Sequence, residues 1–295
     1  MGSWSEIINE IGTDTSRLDS IRKKYLHDLF KCTGRNVITY YSGWLNGKLG
    51  VKNYDINDND MEGFMNCVNG LDCDKGLDLI LHTPGGSPTA TESIVSYLRC
   101  KFNNNIRVIV PHMAMSAGTM VACAGKEIIM GKHSSLGPID PQFGGIPAYN
   151  IKQEFEDAKK DLVQNPKNAQ YWAIQLNKYP PAFMKNAIDA IDLSTELTTN
   201  WLKTCMLKDE QESVENLVKA LNEHENSKNH GRHFSFQKCK EIGLKVLELE
   251  KDAKLQDRVL SVHHCYMIAI QRHNWGKIIE NQNGKTYYVG ADERR

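Results

Sequence analysis

The sequence predicts an α/β protein in which strands and helices alternate to build a parallel sheet and the second half of the chain is helical. Three observations carry this expectation. Short β-branched or apolar runs recur between residues 36 and 130, separated by stretches of helical periodicity. Strands separated by helices imply right-handed crossovers, and so a parallel sheet buried on both faces. After Gly145 the chain becomes charged, periodic and nearly free of glycine.

Residues 1–31 read as a helical leader, because Ile7, Ile8, Ile11, Leu18, Ile21, Tyr25 and Leu29 are spaced at roughly helical intervals among charged residues. This leader is expected to pack on the body or on a second subunit. The run Asn36-Val-Ile-Thr-Tyr-Tyr41 reads as a strand, and Asp58 to Leu71, with Met61, Phe64, Met65 and Val68, as a helix behind polar caps. The pair then repeats: strand 77–82, helix 89–102, strand 106–111, a short helix 116–124 and strand 127–130. Beyond these, residues 151–163, 181–207, 210–225 and 234–252 read as helices, with a polar stretch from Asn222 to Arg232 as a loop or boundary.

The chain has 295 residues, 40% hydrophobic and 24% charged, which suits a globular protein of one large domain or one domain with a helical appendix. Lysine plus arginine number 36 and so do aspartate plus glutamate, so no basic field exists to collect nucleic acid or anionic lipid. The N-terminus lacks a basic stretch before an apolar run, and no window approaches 18 uninterrupted apolar residues. A cytoplasmic protein that does not span a membrane is the expectation. Eight cysteines are scattered without a C-x-x-C pair, which reads as reduced thiols, several of them core filler.

Two glycine-bearing turns follow consecutive strands: His82-Thr-Pro-Gly-Gly-Ser87 and Met113-Ala-Met-Ser-Ala-Gly-Thr119. The carboxyl ends of parallel strands face one crevice, so both turns can serve one site. Glycine at 85 and 86 lets a substrate backbone come close and frees an N–H for an anion. Ser116 falls at a strand-to-helix corner with small Ala117 and Gly118 behind it, which exposes its hydroxyl beside the Ala117 N–H. Each motif alone has a plainer reading: such a serine is commonly an N-cap, and Pro-Gly-Gly commonly a turn.

Taken together, Leu79-Ile-Leu-His-Thr-Pro-Gly-Gly86, Ala114-Met-Ser-Ala-Gly-Thr119 and Leu136-Gly-Pro-Ile-Asp-Pro-Gln-Phe-Gly-Gly145 resemble the serine dehydrogenase proteinase family, with weaker likeness from about Gly34 to Leu207. That family is a branch of the Clp protease and signal peptide peptidase group in the Clp/crotonase superfamily. The resemblance implies a Clp/crotonase-like spiral of βαβ units with a helical C-terminal half. It implies attack by Ser116 on a peptide carbonyl, with the N–H groups of Gly85 and Ala117 forming the oxyanion hole and Gly86 shaping it. It also implies a homo-oligomer, since members of the wider group form rings around their active sites. An unfoldase or regulatory partner goes with such rings. No G-x-G-x-x-G follows a strand, so no nicotinamide site, and no other cofactor or metal, is expected.

A serine needs a proton acceptor, histidine as a rule and lysine as a variant. Clp proteases carry a histidine about two dozen residues past the serine; here Ile139-Asp140-Pro141 stands there, and the nearest histidine is His133. The signal peptide peptidase branch uses a lysine before a proline-containing turn and a long helix, which resembles Asn177-Lys178-Tyr179-Pro180-Pro181. Lys178 is therefore the expected general base, against Lys152, Lys159, Lys160 and Lys167, and the role demands that it be buried or set in a positive field. Asp140 is expected to shape the wall beside Ser116.

His224, His230, His233, His263, His264 and Cys265 gather late in the chain without an established zinc spacing. Asp55-Ile-Asn-Asp-Asn-Asp60 lacks the glycine and closing glutamate of a calcium loop and reads as a polar connection with caps. The expected organisation is a leader 1–31, a peptidase body 32–222 and a helical appendix 223–295. The expected activity is cleavage of a peptide or protein substrate through an acyl-enzyme on Ser116. A catalytically silent scaffold and a crotonase-type acyl-CoA enzyme are the alternatives, the latter because that relative shares fold and oxyanion hole.

Overall fold

A computed structural model describes residues 2–13, 15–46, 53–222 and 228–290. Helices α1 (Trp4–Ile11) and α2 (Thr15–Thr33) lead into strand β1 (Asn36–Ser42) and helix α3 (Asp60–Val68). The alternation continues through β2 (Leu77–His82), α4 (Pro88–Phe102), β3 (Ile106–Val110), the two-residue β4 (Met113–Ala114), α5 (Ala117–Cys123) and β5 (Glu127–Met130). Short strands β6 (Ser135–Leu136), β7 (Gln142–Phe143) and β8 (Ile146–Pro147) precede helices α6 (Ala148–Gln164), α7 (Ala169–Leu176), α8 (Phe183–Trp201) and α9 (Val214–Asn222). The chain closes with β9 (Phe234–Ser235), a short helix Phe236–Glu241, β10 (Val246–Glu248), a last helix Ala253–His273, and strands β11 (Lys277–Asn281) and β12 (Thr286–Val289).

The fold is α/β, with an open seven-stranded mixed sheet in the order β10-β5-β3-β2-β1-β11-β12. The first five strands are mutually parallel, and β11 and β12 are added antiparallel at one edge. β1 and β2 are buried at every residue because helices cover both faces. The side-chain period of two divides the core between those faces. Leu79, Leu81, Val108 and Val110 pack towards α3, α4, α5 and α8. Ile80, Ile109, Ile129 and Tyr41 pack instead against Leu26 and Leu29 of α2 and Val262 and Tyr266 of the last helix.

The leader packs on the body: Ile7, Ile11, Leu18 and Ile21 form a third cluster with Cys265, Ile268 and Ala269 of the last helix. Beyond residue 222 the structure departs from the helical expectation. Residues 234–252 hold β9, a six-residue helix and β10, and 277–289 form a strand pair. The reason is tertiary, since β10 finds the open edge of β5 while Lys277-Ile-Ile-Glu-Asn finds that of β1. The seven-stranded sheet thus draws on residues from both sides of the boundary expected at 222. The polar stretch expected from 222 to 232 lies partly outside the described residues, as does His224.

All eight cysteines are free. Burial pushes the thiols of Cys67, Cys239 and Cys265 up to about 12, so these are inert filler. No helix among the described residues is long and apolar enough to cross a membrane.

Candidate active site

The turn after β2 and the turn before α5 are bonded to each other. Thr83 N–H donates to the Met113 carbonyl at 3.2 Å and Met115 N–H donates to the Thr83 carbonyl at 3.0 Å, so the two turns are held side by side at the carboxyl end of the sheet. α5 then begins at Ala117, with Ser116 as the cap residue. Ser116 has φ 51° and ψ −118°, a left-handed conformation that a non-glycine residue holds at a cost. Its hydroxyl makes no cap hydrogen bond, so the plain N-cap role is not the one it plays.

Gly85 packs directly on this corner. At φ 98°, a Cβ on it would lie 2.6 Å from the Met115 carbonyl oxygen and 2.7 Å from the Ser116 Cβ. Gly86, at φ 153°, is pressed as closely against Ile56, whose N and O lie 2.3 Å from its would-be Cβ. Ile56 N–H donates to the Gly85 carbonyl at 2.7 Å, and Ser87 N–H donates to the Ile56 carbonyl at 2.9 Å. This is the pattern of a parallel bridge, in which the N–H of the middle residue, Gly86, turns away from Ile56. Gly85 N–H was the expected oxyanion donor, but it donates to Thr83 Oγ1 at 3.1 Å.

Ser116, Ala117 and Gly86 open on a cavity of about 280 Å³. Met120, Ile139, Pro141 and Leu193 give it apolar walls, with Gln142 and Ser194 as polar points. None of the described residues lining it is a lysine, histidine, aspartate or glutamate. α5 is locked to the wall by Thr119 Oγ1, which donates to the Gly137 carbonyl at 2.7 Å.

Asp140 stands between Ile139 and Pro141 in that wall, wholly buried and with φ 32°. Gln142 Nε2 donates to its carbonyl at 2.9 Å and to Oδ2 at 3.3 Å. His230 Nδ1 approaches the same Oδ2 at 3.7 Å, with the side chain 34% exposed. This pair joins residues 90 apart, which is why no local pattern pointed to it. The loop bearing His230 is drawn in where His233 Nδ1 meets Ser135 Oγ at 2.9 Å and where β9 pairs with β6.

Lys178 is exposed, and its ammonium donates to Gln175 Oε1 at 2.7 Å on the surface. Of the residues lining the cavity, α8 supplies Ala190, Leu193 and Ser194, whereas Lys178 precedes the first turn of that helix. The stretch from Phe183 to Ala190 alone spans about 10 Å. The structure therefore does not bring Lys178 to Ser116. Lys152, Lys159, Lys160 and Lys167 are exposed as well.

Behind the two turns lies an aromatic cluster. His82, at the end of β2, stacks on His112 with ring centroids 5.3 Å apart and touches Trp44, Tyr41 and His263. Burial, reinforced by His112, pulls the His82 imidazole down to about 3. It is a neutral packing group, and neither ring nitrogen makes a hydrogen bond of regular geometry, although the Met113 backbone lies alongside. Among the described residues no group of histidine, cysteine and carboxylate side chains is placed to hold a metal ion.

Two uncharacterised proteins of Methanocaldococcus jannaschii are similar in sequence. One is 36% identical over 151 residues, 50% of this chain and 52% of that protein. The other is 40% identical over 108 residues, 36% of this chain and 37% of that protein. The matches therefore span about half or less of these relatives. A family model described as the ClpP-like SDH-type serine proteinase matches residues 12–260, from the leader into the first turns of the last helix. The chain belongs to the ClpP-like SDH-type serine proteinase family, whose general activity is serine-type hydrolysis.

Proposed function

We propose that the chain is a serine peptidase in which Ser116 is the nucleophile and the N–H groups of Gly86 and Ala117 hold the oxyanion. The observation that carries this reading is Ser116 itself. It is strained at a strand-to-helix corner, its hydroxyl is uncommitted to a cap, and it opens on the cavity beside Gly86 and Ala117. Ser116 Oγ attacks a peptide carbonyl carbon, and the negative charge that develops on the carbonyl oxygen faces the two donors. Collapse breaks the C–N bond, the amine leaves with a proton, and water hydrolyses the acyl-enzyme. Gly85 gives the turn its close approach, while its N–H serves Thr83. The walls formed by Met120, Ile139, Pro141 and Leu193 suit an uncharged apolar side chain before the scissile bond.

His230, which is not among the residues lining the cavity, has to swing towards Ser116 to serve as the proton acceptor in this reading, with Asp140 behind it. An imidazole whose Nδ1 faces a buried carboxylate keeps Nε2 free to take the serine proton and return it to the leaving amine. The 3.7 Å approach becomes a hydrogen bond after a movement of under about 1 Å, within the looseness of unliganded sites. Lys178 lies exposed with its ammonium on Gln175 Oε1, away from the cavity. Labelling with a fluorescent fluorophosphonate separates the candidates. His230→Gln is expected to slow labelling at least about 100-fold and Lys178→Ala to leave it unchanged. The opposite pattern would return the role to Lys178.

The proposal extends to a peptide or protein substrate and, on the likeness to ring-forming proteases, to a homo-oligomer served by an unfoldase or regulatory partner. Sedimentation velocity tests the first step of that extension: a single monomeric species at micromolar concentration would remove it.

A further inference from the structure

β11 runs antiparallel to β1 with Lys277 opposite Ser42, so the first residue of β11 stands at the carboxyl end of the parallel strands, where the two turns lie. Lys277 is only 1% exposed, and its ammonium sits between two acceptors: Asp60 Oδ1 at 2.5 Å and the Asp55 carbonyl at 2.8 Å. Asp60 opens α3 and is itself wholly buried. Its other oxygen accepts from the Tyr40 hydroxyl at 2.8 Å and from the Asn57 N–H at 3.0 Å. One ion pair thus ties β11, β1 and α3 to the segment 55–57. At the centre of that segment is Ile56, which grips both sides of Gly86 through its bonds to Gly85 and Ser87.

We infer that Lys277 is a positioning residue: through Asp60 and the Asp55 carbonyl it fixes Ile56, and through Ile56 it aims the Gly86 N–H at the Ser116 cavity. The contacts form an unbroken path from the ammonium to the turn. A buried ion pair adds little net stability over a well-packed apolar pair, so what this one supplies is geometry. Other bonds leave Lys277 a distinct share of that task. Ser42 Oγ reaches the Tyr54 carbonyl at 2.8 Å, and Asn57 bonds Asp60 directly, its N–H donating to Oδ2 at 3.0 Å and its carbonyl accepting from the Asp60 N–H at 3.0 Å; what Lys277 adds is the tie from the segment to β11. The family match ends at residue 260, so this contribution comes from the chain beyond it.

Given Gly86 as an oxyanion donor, as proposed above, loosening the segment should slow acylation without emptying the site. Lys277→Met alone strands the Asp60 carboxylate, so the double variant Lys277→Met with Asp60→Asn is measured beside it. Two readouts on the full chain are needed: fluorophosphonate active-site titration with its rate constant, and amide hydrogen exchange. The expected result for the double variant is a full titre of reactive serine with a labelling rate constant lower by about 10- to 100-fold. Exchange should quicken at the Ile56 and Ser87 amides and stay unchanged in β3 and β5. A reduced titre with an unchanged rate per site would show a merely stabilising role and overturn the inference. So would wild-type exchange at Ile56 and Ser87. If the wild-type chain does not label, the peptidase reading fails on its own, and the exchange result still decides whether Lys277 holds the turn.

Discussion

Ser116 and Gly85 press against each other at the corner where the chemistry is proposed, and each can be tested alone. Left-handed backbone at a non-glycine residue costs about 1–3 kcal/mol, a strain that glycine relieves. Ser116→Gly is therefore expected to raise stability by roughly 1 kcal/mol in urea unfolding while abolishing fluorophosphonate labelling. A destabilised variant would mean that the φ of 51° is not strained in its surroundings. Gly85→Ala puts a methyl 2.6 Å from the Met115 carbonyl oxygen, which must push the Ser116 corner aside. A displacement of about 1 Å at a nucleophile costs on the order of 100-fold, and labelling kinetics should show it. Wild-type kinetics in Gly85→Ala would contradict the close packing of the two turns.

The elements that carry these residues differ in how openly the sequence announced them. β2 was legible at both ends, because Leu77-Asp-Leu-Ile-Leu-His is a short apolar run stopped by Pro-Gly-Gly. Ser116 and the glycine pair were legible because a turn between strand and helix needs small residues in a fixed order. β10 and β11 were not, since their pairing depends on edges supplied by β5 and β1, far away in the chain. The Asp140–His230 and Asp60–Lys277 pairs were hidden for the same reason. β2 also carries a pH dependence at its end. His82 holds its imidazole near 3 in the fold against an ordinary value of 6.5, packed among Tyr41, Trp44, His112 and His263. The unfolded chain binds that proton at higher pH than the folded one, so stability is lost as pH falls from about 6.5 towards 3. The loss should reach several kcal/mol, on the order of 4, if the cluster stays dry. Urea unfolding at pH 7 and pH 5 checks it: His82→Phe should lessen the difference, with the remainder carried by His263, His112 and His264, which burial also shifts down, and an equally steep dependence in that variant would assign it elsewhere.

Across the whole molecule, the two ends of the chain close one core. Arg22 of α2 reaches Glu280 of β11 at 2.8 Å, and Tyr266 and Thr286 donate to the same carboxylate at 2.5 and 2.7 Å. Arg22 is 2% exposed and Glu280 is fully buried, so the carboxylate depends on these partners. Arg22→Met should destabilise by about 3–5 kcal/mol in denaturant unfolding, because it leaves a buried charge without its cation. A loss below about 1 kcal/mol would indicate that water reaches Glu280 in the fold. The leader and the final strands thus pack against the same last helix and sheet edge. The strap from Lys277 to Gly86 is the functional side of that closure: the last sheet strands hold the turn proposed to bind the oxyanion.

A serine peptidase of this form requires Ser116 to be a reactive nucleophile. The direct measurement is fluorophosphonate labelling of the folded wild-type chain, followed by mass spectrometry of its peptides and repeated on Ser116→Ala. One adduct per chain on the peptide containing Ser116, absent from Ser116→Ala, is the predicted result. An adduct on another residue, or none on a folded and assembled wild-type protein, would contradict the peptidase reading and favour a fold kept as a scaffold.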